Sequence, residues 1–320
     1  MPNHPASAAA AHRREVARYY RWLDRLAWMR ERRAASGSQA QPIHRPLRDP
    51  AGGEPSARVV HRLMREGISL PPAPRVLDAG CGYGATMLDL APELGGEWLG
   101  ITLSAVQVRR GQAEAAARGL TGRVRLELGS YDDPPPGPFD WIYAIESLIH
   151  SPDPAATLRA LARVLAPGGV LTVVDDMPED GLTAEQAARL AVFKRCWRCP
   201  VAPTAAGWRA AMAEAGLVAI WERDLTPLTL LRPAAELAPR IALRQRQLRW
   251  KRLFGLGYRS EADLGGMMLE LLAAEGVVRY RLISARKPGP GGAGAAGAAE
   301  GGPAGAILSG NGERRRGEAR

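Results

Sequence analysis

Two groups of residues in this chain have the types and spacing to do chemistry. In the first, the apolar run Arg75-Val76-Leu77 leads to Asp78, then to Gly80, Cys81, Gly82 and Gly84, with a helix-like segment from Met87 to Leu94 directly behind. Glycine at such a turn permits positive φ and lets backbone approach a ligand closely. The helix N-terminus behind it offers unsatisfied N–H groups to a polar or anionic ligand. This is the pattern of a loop that holds a nucleotide-type cofactor. In the second group, Glu146 and His150 follow another strand-like run, Phe139 to Ile145. An imidazole with an ordinary pKa of about 6.5 is suited to accepting or relaying a proton.

The glycine loop alone leaves the cofactor open. Gly80-x-Gly82-x-x-Ala85 formally satisfies the dinucleotide pattern. A dinucleotide site also wants an acid about 20 residues on, at the end of the second strand. Here that strand, Glu97 to Thr102, ends in Leu103-Ser104 with no acid. An Asp set against a pyrophosphate would be repelled, whereas beside an ammonium group it is attracted. Leu77-Asp78-Ala79-Gly80-Cys81-Gly82-x-Gly84 resembles the first motif of class I S-adenosylmethionine (SAM) methyltransferases. Gly100-Ile101-Thr102-Leu103-Ser104-x-x-Gln107 resembles the next segment in the subgroup of sterol and tocopherol methyltransferases and cyclopropane-fatty-acid synthases.

That resemblance implies SAM as the cofactor, held by Asp78, Gly80, Cys81, Gly82, Gly84, Thr102, Leu103 and Gln107. Gly129-Ser130-Tyr131-Asp132 stands where the family places residues around the adenine, which adds Ser130 and Tyr131. Ser104 also reads as a helix N-cap. Glu146-Ser147-x-x-His150 resembles the acidic-x-x-x-His arrangement of the sterol and tocopherol enzymes, so Glu146 and His150 are the candidate catalytic pair. Glu146 would stabilise positive charge or hold the methionine end of SAM. His150 would accept or relay a proton, with a cap or structural hydrogen bond as its plainer role. Ile149 stands where cyclopropane synthases carry a glutamate, which points toward simple methylation.

An alkene acceptor fits this pair, because methylation leaves a carbocation that needs a carboxylate or π-face and then a base. The expected reaction is C-methylation of an isoprenoid-type acceptor, a prenyl diphosphate or another alkene or terpenoid. N- or O-methylation of a specialised metabolite is the alternative. Nucleic-acid methylation has the charge in its favour but lacks an Asn/Asp-Pro-Pro-aromatic motif after the fourth strand. A SAM-binding protein without catalysis is the remaining class.

The elements that must position these residues alternate strand and helix. Runs ending at Ala79, Thr102, Leu128, Ile145 and Val174, with helices between them, imply a mostly parallel sheet. Residues 276–287 resemble the family's final antiparallel strand. The expected fold is α/β and Rossmann-like, with a seven-stranded, mostly parallel sheet and helical lid insertions. Residues 58–287 would form the methyltransferase domain, with 177–203 and 225–275 as inserts longer than a minimal core needs. Residues 1–57 would form an N-terminal helical and linker segment that contributes to the substrate cap. Residues 288–320, rich in Gly and Ala, would be disordered.

The inserts and the first helix are expected to roof an apolar pocket. Tyr19, Tyr20, Trp197, Trp208 and Trp250 are candidate liners, and Asp175, placed beyond the fifth strand with Asp176, is a candidate substrate contact. The first helix presents Val16, Tyr19, Tyr20, Leu23, Leu26 and Ala27 on one face, ringed by Arg13, Arg14, Arg18, Arg21 and Arg25. A second basic segment runs from Ala235 to Phe254. Solvated faces explain both, and contact with an anionic substrate head or an acidic membrane surface is the alternative.

A net charge of +10 comes almost wholly from arginine, since lysine occurs only as Lys194, Lys251 and Lys287. Nothing in the apolar pattern indicates a membrane span or a signal peptide. A cytoplasmic protein acting on a small molecule is expected, with no nucleic-acid partner and with self-association left open. Cys196-x-x-Cys199 lacks a second pair, so no metal is expected.

Overall fold

The computed structural model describes residues 5–34, 44–253 and 257–289. Most of the expected tail, and the side chains of Arg25, Leu26, Ala27, Trp250, Leu253 and Phe254, lie outside the described residues. In chain order the elements are α1 (Pro5–Ala34), α2 (Arg58–Arg65), β1 (Arg75–Ala79), α3 (Ala85–Leu94), β2 (Glu97–Thr102), α4 (Ala105–Ala117), β3 (Val124–Leu128) and β4 (Phe139–Ile145). After a 3-10 turn at Leu148–His150 come α5 (Pro154–Val164), β5 (Leu165–Pro178), α6 (Ala184–Trp197), α7 (Ala205–Glu214) and β6 (Val218–Asp224). The last are α8 (Ala234–Leu253), α9 (Gly257–Ala274) and β7 (Val278–Arg286).

Strand side chains alternate between faces, and the apolar runs of β1, β2, β4 and β5 supply apolar residues to both. Val76 pairs in register with Trp98 and Trp141, and Leu77 with Leu99 and Ile142. The first set packs under α2, α3 and α4, and the second under α5 and α7. Such continuous apolar runs are what a parallel sheet covered on both sides requires.

The seven strands lie in the order β3-β2-β1-β4-β5-β7-β6, with β7 antiparallel to both of its neighbours. The order reverses between β1 and β4, and ligands of open α/β sheets bind outside the carboxyl ends of the strands at such a switch point. Asp78 and Glu146 sit there. A third apolar cluster joins α6, α8 and α9 through Phe193, Cys196, Leu237, Ile241, Leu264 and Leu272. The long connections therefore carry a core of their own, in which Cys196 and Cys199 are buried and not joined in a disulfide. Among the described residues no helix is long and apolar enough to cross a membrane.

The fifth strand differs from its sequence reading. Pro167-Gly168-Gly169 suggests a stop before a strand at Val170, but β5 begins at Leu165 and runs to Pro178. The β4 register shifts between Phe139 and Trp141, and this irregularity absorbs the Pro-Gly-Gly segment. At the far end, β7 pairs with β5 as far as Pro178, opposite Val278. Asp175 and Asp176 thus lie inside the strand rather than beyond it.

Candidate active site

The glycine loop is pinned to the second strand, since the N–H groups of Gly80 and Cys81 both donate to the Ile101 carbonyl at 3.0 Å. Gly80 adopts a φ of 106°, and a Cβ there would lie 2.4 Å from the Cβ of Ser147. Only glycine fits that position, because any side chain would collide with the turn after β4. Gly84 caps α3 in the left-handed region at φ 78°. A Cβ on it would meet Met87 and Leu126, and it does not line the cavity. Its contribution is the start of the helix rather than contact with a ligand.

In front of the loop is a cavity of about 350 Å³. Its wall includes Asp78, Gly80, Cys81, Gly82, Thr102, Leu103, Gln107, Ser130, Tyr131, Glu146 and His150, together with Tyr19, Tyr20 and Trp197 from the roof. Asp78 is 4% exposed, and burial pushes its pKa up to about 7 against the stabilising Tyr143 hydroxyl. Among the described residues no arginine, lysine or histidine pairs with it. A buried carboxylate without a cation, beside a backbone turn that no Cβ obstructs, fits the ammonium end of SAM.

The cofactor-side residues are tied to the roof. Thr102 Oγ1 donates to Gln107 Oε1 at 2.6 Å, and Gln107 Nε2 donates to Asp24 of α1 at 3.2 Å. Ser104 Oγ and the Tyr83 hydroxyl also donate to the Asp24 carboxylate, at 2.6 and 2.8 Å. Asp24 is 3% exposed. Sequence reasoning missed it, although an acid one residue past the Tyr20–Leu23 apolar stripe was a visible signal.

Glu146 occupies the left-handed region at φ 50°, uncommon for a residue with a Cβ. Its Oε1 accepts from both the backbone N–H and the Nε of Arg45, at 3.2 and 3.0 Å. The same guanidinium binds Asp176 and stacks 4.3 Å above the Tyr280 ring. Burial would lower the Arg45 pKa, but Asp176 and Glu146 hold it above its ordinary value. Asp176 is pushed up to about 6, because burial outweighs the opposing Arg45 charge. Arg45 lies in a segment that reads as linker, between Pro42 and Pro46, and nothing local marks its role.

His150 is 6% exposed, and both of its ring nitrogens have partners. Nε2 is 2.9 Å from the Tyr20 hydroxyl, and Nδ1 is 3.3 Å from the Arg198 carbonyl. Burial holds its pKa down at about 4, so the ring is neutral. With Nδ1–H donating to the carbonyl, Nε2 accepts from Tyr20. The proton-accepting nitrogen is therefore already taken up by a roof residue.

Three sequence candidates are not on the cavity wall. The Asp175 carboxylate accepts the Ile149 and Asp176 N–H groups, at 2.9 and 3.0 Å, and so fixes the turn that carries His150. Trp208, expected as a liner, is buried in the core with α5 and α7. Gly84 is the third. His44 is on the wall although the sequence reading did not select it.

The "Methyltransferase domain" family matches residues 76–169, which span β1 to the start of β5. Tocopherol O-methyltransferase of Arabidopsis thaliana is 40% identical over 102 residues, covering 31% of this chain and 29% of that protein. The 2-methyl-6-phytyl-1,4-hydroquinone methyltransferase of Synechocystis is 37% identical over 118 residues, covering 36% and 37%. The chain thus spans about a third of the length of these curated relatives. Among solved structures, geranyl diphosphate C-methyltransferase of Streptomyces coelicolor superposes with a TM-score of 0.61 at 18% identity, covering 86% of this chain and 97% of that one. The [4+2]-cyclase SpnF gives 0.58 at 24%, covering 78% and 89%. At these identities the likeness is one of fold. Residues 76–169 thus carry a methyltransferase domain, and the sheet order and the cavity in front of the glycine loop agree with the SAM-dependent class I fold.

Proposed function

We propose that this protein methylates a small apolar acceptor of isoprenoid type at carbon, through a carbocation. The observation that carries the reading is the make-up of the cavity wall. It sets the rings of Tyr19, Tyr20, Tyr131 and Trp197 around one space with the Glu146 carboxylate. The charged residues on the wall are Asp78, Glu146 and Asp263, and among the described residues no arginine or lysine lines it. Such a wall favours an uncharged terpenoid or alkene over a prenyl diphosphate.

Bound SAM supplies an electrophilic methyl group. Asp78 would hold its ammonium end, and Thr102, Gln107, Ser130 and Tyr131 would line the remainder of its site. Aromatic faces stabilise a cation by about 0.5–2 kcal/mol each when desolvated. A fixed carboxylate in a water-poor site adds more, because it needs no reorganisation as charge develops. Arg45 sets Glu146 in place, and since it serves two carboxylates the group stays acidic.

A second reading, O-methylation of a phenol, is favoured by His44, a neutral imidazole on the same wall. Labelled methyl transfer from SAM to terpenoid alkenes, prenyl alcohols, sterols, geranyl diphosphate, phenols and amines tests both. The leading reading expects label on uncharged alkenes, with product NMR placing the methyl on carbon. Label on phenols or amines alone would remove the carbocation role of Glu146. Transfer only to geranyl diphosphate would overturn the uncharged acceptor.

A further inference from the structure

Trp197 closes α6, and its indole lines the cavity in front of the glycine loop. The ring is held in place by its neighbours. Its Nε1–H donates to the Ala262 carbonyl of α9 at 3.1 Å, and the Phe193 ring lies 5.5 Å away. Against α9 the indole occupies the space that a side chain at Gly265 would fill. A Cβ there would lie 2.2 Å from Trp197 Cδ1 and 2.5 Å from Nε1. Glycine weakens a helix interior, yet Gly265 and Gly266 stand side by side within α9. At Gly265 the close approach of the indole accounts for that choice.

Behind the same turn of α9 is a second space. A groove of about 780 Å³ runs between α8 and α9, with Leu243, Arg244 and Gln247 on one side and Gly266 and Met267 on the other. Ala262 and Asp263 line both this groove and the inner cavity. Asp263 pairs with Arg244 across the groove at 3.6 Å. Gly266 lines the groove only, and a Cβ built on it would lie 3.6 Å from Trp197 Cζ2. The six-membered ring of the indole therefore stands between the two spaces. The inner cavity, about 350 Å³, has to hold SAM before any acceptor. Sites for a single ligand already run from about 300 to 1,000 Å³, so little length is left on the inner side of Trp197.

We propose that Trp197 sets the length of the acceptor, as the partition that keeps the inner cavity from joining the groove. This rests on the isoprenoid-type acceptor inferred above. In the parent protein an acceptor ends at the indole, so short isoprenoids fit beside SAM and longer ones do not. Without the indole the two spaces become continuous. The end of a longer acceptor then passes Ala262 and lies near Met267, Arg244 and Gln247. These groups suit a hydroxyl end, to which Gln247 can donate and from which it can accept.

Calorimetry on the full chain loaded with S-adenosylhomocysteine tests this with geraniol, farnesol and geranylgeraniol, prenyl alcohols of increasing length. The parent is expected to bind geraniol most tightly and to lose about tenfold in affinity with each added isoprene unit. Trp197→Ala should reverse the order, binding geranylgeraniol about tenfold more tightly than geraniol. Trp197→Leu keeps part of the packing and should show the same reversal to a smaller extent, which keeps the test open if the alanine variant does not fold. Adding Gly266→Leu to Trp197→Ala refills the vacated space and should restore the preference for geraniol. Equal weakening of all three alcohols in both Trp197 variants would show that the indole only packs α6 against α9, and the length limit would fall. Equal binding of all three by the parent would overturn it as well. If neither parent nor variants bind any of them, the isoprenoid reading fails and the limit with it. Length-ordered binding without methyl transfer would remove the chemistry and leave the limit standing.

Discussion

Asp78 is the residue whose chemistry is most sharply set by its surroundings. With its pKa raised to about 7 by burial, it is half-protonated in the ligand-free protein at neutral pH. A raised carboxylate pKa means that the folded state binds more protons than the unfolded chain between about pH 4 and 7. Asp78 therefore adds stability as pH falls through 7 and none above it. An ammonium group beside it would reverse the preference, so if Asp78 holds the SAM ammonium, binding below pH 7 is expected to expel a proton. Affinity for SAM should fall toward tenfold per pH unit from 7 down to 5. Calorimetry in buffers of different ionisation enthalpy should register proton release at pH 6.5, and Asp78→Asn should abolish it. A pH-independent affinity would place the ammonium elsewhere. Asp78 and the glycines were legible in the sequence because loop, charge and helix start lie within ten residues and are constrained by backbone geometry. Arg45 and Asp24 were not. Each acts on a partner far along the chain, Arg45 on Glu146 and Asp24 on Ser104, and only the folded arrangement brings them together.

At the scale of elements, α1 matters beyond its apolar face. Val16, Tyr19, Tyr20 and Leu23 line the cavity, while Asp24 takes hydrogen bonds from Tyr83, Ser104 and Gln107. Asp24→Ala would leave the buried Ser104 and Gln107 and the half-buried Tyr83 hydroxyl without this acceptor, a loss of about 1–3 kcal/mol for each group that finds no water. The expected result is a helix that docks more weakly, cut faster by trypsin at Arg13, Arg14, Arg18 and Arg21, with SAM dissociating about tenfold faster. Equal cleavage rates in variant and parent would show that Asp24 does not secure α1. The sheet strands β1, β2 and β4 were readable from the sequence, because a parallel strand buried on both faces is a continuous apolar run bounded by turn residues. The full reach of β5 was not. Asp175 and Asp176 look like a strand end; inside the strand, the Ile149 and Asp176 N–H groups satisfy Asp175, and Arg45 pairs with one carboxylate oxygen of Asp176.

Taken as a whole, the molecule uses much of its arginine excess for internal pairing. Arg189 joins α6 to Glu275 after α9, Arg232 grips Glu270 of α9, and Arg281 of β7 meets Glu179 beyond β5. A net charge that suggests anionic partners when read along the chain is thus partly structural once folded, a distinction composition cannot make. Arg198 is the clearest case. Its side chain is 9% exposed and reaches Glu261 of α9 at 2.7 Å and Glu15 of α1 at 3.4 Å. The same guanidinium lies 5.0 Å over the Tyr19 ring, and its carbonyl receives His150. One residue after α6 thus fastens the separate pieces of the roof to each other and to the turn that carries His150. Removing one member of a buried ion pair strands the other and costs about 3–5 kcal/mol. Arg198→Met, which keeps the apolar stem, should therefore loosen the roof and leave the sheet intact. Hydrogen exchange should accelerate in α1 and α9 while β1, β4 and β5 keep their protection. KM for the acceptor should rise well above any change in KM for SAM, since Asp78 and the glycine loop lie on the sheet side. Uniform loss of protection across sheet and roof would show instead that the two unfold as one cooperative unit and that Arg198 stabilises the whole domain.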